Sequence, residues 1–96
     1  MCGIAGFFNW DPAAPVPRRA LRDASARMAL RGPDADGGHE QDGVGFVHRR
    51  LAVIDPGGGG QPMVDSESGV CLVYNGEIYN FKTLRTELAG RGHRFE

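Results

Sequence analysis

The sequence predicts an α+β domain in which helices pack on a largely antiparallel sheet. Three observations predict it: short apolar runs bounded by turn residues, two segments with apolar residues at helical spacing, and the order β, α, β, β, α along the chain. Residues 3–9 (GIAGFFN) form the first strand, short and apolar, expected to be buried and ended by Asn9 and the Asp11-Pro12 turn signal. Pro17 suits the first turn of a helix, where its missing N–H would be unpaired anyway. From Arg18 to Leu30, the apolar residues Leu21, Ala24 and Met28 recur at helical spacing with arginines on the other face. Gly32-Pro33 stops that helix.

Val44 to Ile54 alternates and is partly β-branched, which predicts one long strand or two short ones around His48-Arg49-Arg50. Residues 56–62 (PGGGGQP) predict a loop. Val70 to Tyr74 (VCLVY) predicts a buried strand ended by the turn signal Asn75-Gly76. Asn80 is placed to cap a second helix with Phe81, Leu84 and Leu88 on its core face. That helix ends at Gly90 and Gly92, and Arg94-Phe95-Glu96 reads as the start of another strand. A strand cut at its first residues predicts a piece of a larger domain, poorly folded if expressed alone because sheet edges stay open.

A chain of 96 residues suits one small domain or part of one. Hydrophobic residues at 41% and charged residues at 24% are ordinary for a globular protein. A net charge of −1 with interspersed signs offers no field for nucleic acid or an anionic membrane. No run approaches the roughly 20 apolar residues that span a bilayer. No basic region followed by an apolar core marks a secretory signal. Two cysteines, Cys2 and Cys71, make no disulfide framework, so the expected compartment is a reducing cytoplasm with both thiols free.

Cys2 is the first candidate for chemistry. Its side chain is small, so removal of Met1 is expected, leaving a residue with both a thiol and a free α-amine. An ordinary α-amine titrates at about 7.7–8.0 and an ordinary thiol at about 8.5. Such an amine can accept a thiol proton near neutrality and return it to a leaving group, so one residue supplies nucleophile and base. Alone, a cysteine at position 2 is more often an ordinary small residue.

Five ordered segments change that balance: Met1-Cys2-Gly3-Ile4-Ala5-Gly6, Arg31-Gly32-Pro33-Asp34, His48-Arg49-Arg50-Leu51-Ala52-Val53-Ile54-Asp55, Gly60-Gln61-Pro62-Met63 and Asn75-Gly76-Glu77-Ile78-Tyr79-Asn80. Together they resemble the glutamine-hydrolysing asparagine synthetase family, in its N-terminal class II glutamine amidotransferase domain. The resemblance runs from Cys2 to about Leu88. It implies an N-terminal nucleophile hydrolase fold, a four-layer αββα sandwich of which residues 1–96 would be the N-terminal portion, with the synthetase domain outside this chain.

The resemblance also implies roles. Cys2 is the nucleophile, and the Asn75 side-chain amide with the Gly76 backbone N–H forms the oxyanion hole. A plain Asn-Gly hairpin is the competing explanation of that pair. Arg50 grips the glutamine α-carboxylate, a task suited to a planar bidentate guanidinium, with a solvated arginine beside Arg49 as the alternative. Leu51, Ala52, Val53 and Ile54 line the pocket, and Glu77 helps hold the substrate ammonium. An aspartate for that ammonium is expected shortly beyond Glu96. The expected partners are glutamine and the C-terminal synthetase domain of the same chain, with a homodimer left open. No cofactor is expected in this domain. ATP and Mg2+ belong to the synthetase domain, which would convert aspartate to asparagine with the ammonia.

Other features carry less. Gly57 to Gly60 is followed by no Gly-Lys-Ser/Thr, so it reads as a flexible connection rather than a phosphate cradle. His39, His48 and His93 lack metal-like spacing and read as surface or structural residues; no metal is expected. Cys71 reads as a small buried hydrophobe. Arg31-Gly32-Pro33-Asp34 reads as a loop behind the nucleophile, with Asp34 as a turn or salt-bridge residue. Two alternatives stand: an amidotransferase acting on another acceptor, such as a peptide, sugar or antibiotic intermediate, and a non-catalytic scaffold domain.

Overall fold

A computed structural model describes residues 1–53 and 57–95. Along the chain run β1 (Gly3–Phe8), α1 (Arg18–Arg27), β2 (Ala35–Gln41), β3 (Val44–Arg50), β4 (Met63–Val64), β5 (Cys71–Leu72) and α2 (Phe81–Gly90). This is a small mixed domain with antiparallel sheets. Strand β3 is central in the order β1-β3-β2, antiparallel to both neighbours, and β4 pairs with β5 in a separate two-stranded sheet. None of the described helices is long and apolar enough to cross a membrane.

The sequence reading misses β2. Its sequence, ADGGHEQ, holds residues that strands avoid, so propensity argues against it. The turn decides. Asp42 and Gly43 both have positive φ, 48° and 76°, the geometry of a two-residue hairpin whose twist matches the flanking strands. Gln41 therefore pairs with Val44, and the whole ladder to Ala35–Arg50 follows.

Side chains alternate across a strand, so the register assigns residues to faces. Gly3, Val47 and Arg49 lie toward α1, where Val16 and Leu21 form the buried apolar core. Arg49 Nε donates to the Ser25 carbonyl and hydroxyl at 3.1 and 3.0 Å, tying the sheet to the helix. Ile4, Phe46, His48 and Arg50 lie on the opposite face. Of these, His48 is 1% exposed.

Several expectations are corrected. In β1 only Gly3 is buried, while Ile4 is 39% and Phe8 61% exposed, because α1 covers one face and β1 is an edge strand. Helix α1 ends at Arg27 rather than Leu30. The chain then tightens, with Arg31 N donating to Met28 O at 2.9 Å, so that it can turn beneath β3. Val70 to Tyr74 shrinks to Cys71–Leu72, and Cys71 is half-buried rather than buried. Burial still pushes its thiol up.

Asn80 occupies the N-cap of α2 without a side-chain capping bond. The predicted core face of α2 is not buried: Phe81 and Leu84 are exposed, and Leu88 is half-buried. The end at Gly90 and Gly92 holds, through bonds from Gly92 N to Ala89 O and His93 N to Leu88 O, both 3.0 Å, with Gly92 at φ 93°. Residues 93–95 form no strand, and Glu96 lies outside the described residues.

Candidate active site

Cys2 stands one residue before β1, where a chain entering an edge strand leaves its side chain at the end of the sheet. Its Sγ rests against the turn that follows β3: Leu51 N donates to it at 3.4 Å, and Leu51 O lies 3.9 Å away. Asn75 reaches in from the other side, 73 residues along the chain, its Nδ2 donating to the Cys2 carbonyl at 3.3 Å. A cleft of about 390 Å3 opens beside them, lined by Cys2, Gly3, Ile4, Met28, Arg31 and Asn75. Met1 is exposed. Both described cysteines are free thiols.

Alternation separates the adjacent arginines. Arg49 faces α1, held by Ser25 and lying 4.0 Å from Asp36. Arg50 points to the opposite face, half-buried, with its guanidinium beside Gly59. The pairing Gly3–Arg49, continued by one residue, sets Cys2 opposite Arg50. A structural arginine and an arginine on the Cys2 face thus stand side by side in sequence.

The turn after β3 is braced from behind. Asp34 Oδ2 accepts the Ala52 N–H at 2.7 Å, and Asp34 N donates to Arg50 O at 3.0 Å. Between α1 and Asp34, Gly32 passes so close to β3 that a Cβ would lie 2.4 Å from the Arg49 carbonyl carbon. The Arg31-Gly32-Pro33-Asp34 segment therefore shapes the turn that touches Cys2, with Asp34 as a turn residue.

The remaining candidates divide. Leu51 and Ala52 are half-buried at the site, Val53 is 74% exposed, and Ile54 lies outside the described residues. Gly76 follows Asn75 but does not make the plain hairpin turn, because its φ is not positive. The Tyr74 ring packs close by, so that a Cβ there would lie 2.5 Å from its hydroxyl, at the end of an exposed side chain. Glu77 is exposed. Gly57 to Gly60 forms a bend and turn beside Arg50 rather than a helix start. Among the described residues no three His, Cys, Asp or Glu side chains gather as metal ligands.

Sequence reasoning misses Arg31 and Gln61. Arg31 reaches the cleft because α1 stops early, a signal carried only by the Gly32-Pro33 break. Gln61 pairs through its side chain with the backbone of Tyr74, immediately before Asn75. His48, taken as surface or structural, is structural. Its burial pushes its pKa down, the Tyr74 carbonyl pulls the other way, and Arg50 adds to the fall. Among the described residues its Nε2 has no hydrogen-bond partner.

The glutamine amidotransferase domain family matches residues 1–96. Asparagine synthetase (glutamine-hydrolyzing) 1 of Bacillus subtilis is 39% identical over 97 aligned positions, covering 99% of this chain and 15% of the relative. The corresponding enzyme 3 of that organism is 39% identical over 98 aligned positions, covering 100% of this chain and 16% of the relative. Asparagine synthetase (glutamine-hydrolyzing) 2 of Arabidopsis thaliana is 38% identical over 95 residues, again 99% of this chain and 16% of the relative. The chain spans about 15–16% of the length of these relatives.

Proposed function

The chain belongs to the glutamine amidotransferase domain family, and from that premise we propose that it hydrolyses glutamine with Cys2 as nucleophile. The observation that carries the reading is the meeting of Cys2, the Leu51 amide and the Asn75 side chain at one cleft. Loss of Met1 turns the Cys2 amide into an amine next to its own thiol.

In the proposed reaction Sγ attacks the side-chain carboxamide carbon of glutamine while the α-amine takes the thiol proton. The carbonyl oxygen becomes an oxyanion, stabilised by Asn75 Nδ2 and the Gly76 N–H. One Asn75 amide hydrogen is used on the Cys2 carbonyl, which leaves the second for the oxyanion. The intermediate collapses to a thioester, and ammonia leaves with the proton held by the amine. Water then adds, the amine accepts its proton, and glutamate and the thiol are released. Arg50 pairs with the substrate α-carboxylate, and the Leu51–Val53 backbone lines the pocket. Glu77 approaches the substrate ammonium.

The finer architecture belongs to the same proposal. A four-layer sandwich would stack a second sheet on the face opposite α1, and the exposed Ile4 and Phe8 suit such burial. By analogy with the relatives' names, the ammonia would serve asparagine synthesis by a C-terminal synthetase domain. ATP and Mg2+ would serve that domain, and no step at Cys2 calls for them. A cytoplasmic setting keeps both thiols reduced.

The test is glutamate release by the full-length protein and its Cys2→Ala variant. The variant should lose it entirely while keeping its fold. Release by Cys2→Ala at the parent rate would overturn the reading.

A further inference from the structure

We propose that Gln61 is a positioning residue: its side-chain amide grips the Tyr74 backbone and so sets the Asn75–Gly76 donors against Cys2. The inference rests on the reading of Asn75 and Gly76 as the oxyanion hole. Gln61 Nε2 donates to Tyr74 O at 2.9 Å, and Tyr74 N donates to Gln61 Oε1. One side chain thus satisfies both backbone groups of one residue, as a neighbouring strand would. Strand β5 ends at Leu72, so among the described residues Tyr74 has no ladder partner and the Gln61 amide takes that place.

The Tyr74 carbonyl belongs to the peptide bond that carries the Asn75 nitrogen. Fixing that peptide fixes where the Asn75 side chain leaves the chain, two bonds from the donor's root. The grip is itself anchored. The Gln61 carbonyl lies against β2 where a Cβ on Gly37 would sit 2.1 Å away, so glycine admits the loop. His48 pairs with Gly37 across the sheet and is buried, and the Tyr74 carbonyl acts on its ring. On the far side the Tyr74 ring crowds Gly76. Gln61, Gly37, His48 and Tyr74 together form a seat for the donor pair, and only an amide at position 61 both donates and accepts in this arrangement.

The experiment uses the full-length enzyme with Gln61→Glu, Gln61→Met, Asn75→Ala and the double variant Gln61→Glu/Asn75→Ala. Gln61→Glu keeps the size and the acceptor but cannot donate to Tyr74 O. Its kcat for glutamine hydrolysis should fall about tenfold to a hundredfold, the scale of a misplaced catalytic group, with KM within about twofold. The double variant should lose less than the product of the two single losses, since Gln61 acts in part through Asn75 and in part through the Gly76 N–H. Parent-like kcat in Gln61→Glu overturns the inference, as does full additivity in the double variant. So does a raised KM that tracks a lowered melting temperature, which would mark a merely structural role. If Gln61→Met does not fold, Gln61→Glu decides. Activity in a Cys2→Ala control would instead defeat the underlying reading of the site, whatever Gln61 does.

Discussion

Replacing Asn75 with alanine separates the tether that the structure shows from the oxyanion role proposed for the same amide. In the folded chain Nδ2 tethers the Cys2 carbonyl at 3.3 Å in an exposed setting. A hydrogen bond of that kind contributes about 0.5–1.5 kcal/mol. If tethering were its whole contribution, kcat would fall by about tenfold at most, since 1.36 kcal/mol is tenfold. An oxyanion donor does more: removing one costs about 10²–10³ in kcat. The expected result for Asn75→Ala in the full-length enzyme is therefore a kcat loss of about a hundredfold or more. KM should stay near the parent value, and the melting temperature should drop only by what a single exposed bond allows. Steady-state glutamate release and a thermal melt measure both. A kcat loss below about tenfold would refute the oxyanion assignment and leave Asn75 as a tether.

Other outcomes follow from the same geometry. Gly32→Ala should destabilise by about 1–3 kcal/mol or more and raise KM, because its Cβ would meet the Arg49 backbone at 2.4 Å and push the Arg50 turn; an unchanged melt refutes it. Asp34→Ala removes the 2.7 Å bond to Ala52 N, and should raise the KM for glutamine severalfold with about 1 kcal/mol of stability lost. Buried His48 has a folded pKa below its ordinary value of about 6.5, so the unfolded chain takes up its proton first as pH falls. Its stability contribution is whole above about pH 6.5 and is lost as pH falls from there through the lowered folded value. Thermal melts from pH 7.5 to 5 should converge between parent and His48→Gln, and parallel curves would contradict this. Intact mass should show Met1 removed, and a protein retaining an extra residue before Cys2 should release no glutamate.

Much of the fold was legible because local signals agreed with it. The 3.6 spacing of Leu21, Ala24 and Met28 marks α1, and the Gly90–Gly92 pair marks the end of α2. Strand β2 was not legible from propensity. Its formation depends on the Asp42-Gly43 turn and on β3 as a template, a non-local gain that outweighs poor strand formers. The burial of β1 and α2 was over-read for a related reason. Periodicity tells which side chains share a face, not whether anything in this chain covers that face. The Asn75-Gly76 pair shows the same limit, since a hairpin and a crowded donor segment use the same dipeptide.

By itself the sequence determined the family and pointed to the chemistry proposed for it. Those reside in residue types within short ordered segments, with a thiol that becomes adjacent to an amine once Met1 leaves. Tertiary structure decided the partners of each group. It put Arg49 on Ser25 and Arg50 on the other face, brought Asn75 to Cys2, and made Asp34 and Gln61 the braces of the two loops that meet there. Such contacts join residues far apart in the chain, and only strand register and close packing fix their distances. That is why the candidate thiol can be found by reading, and the groups that surround it only by folding.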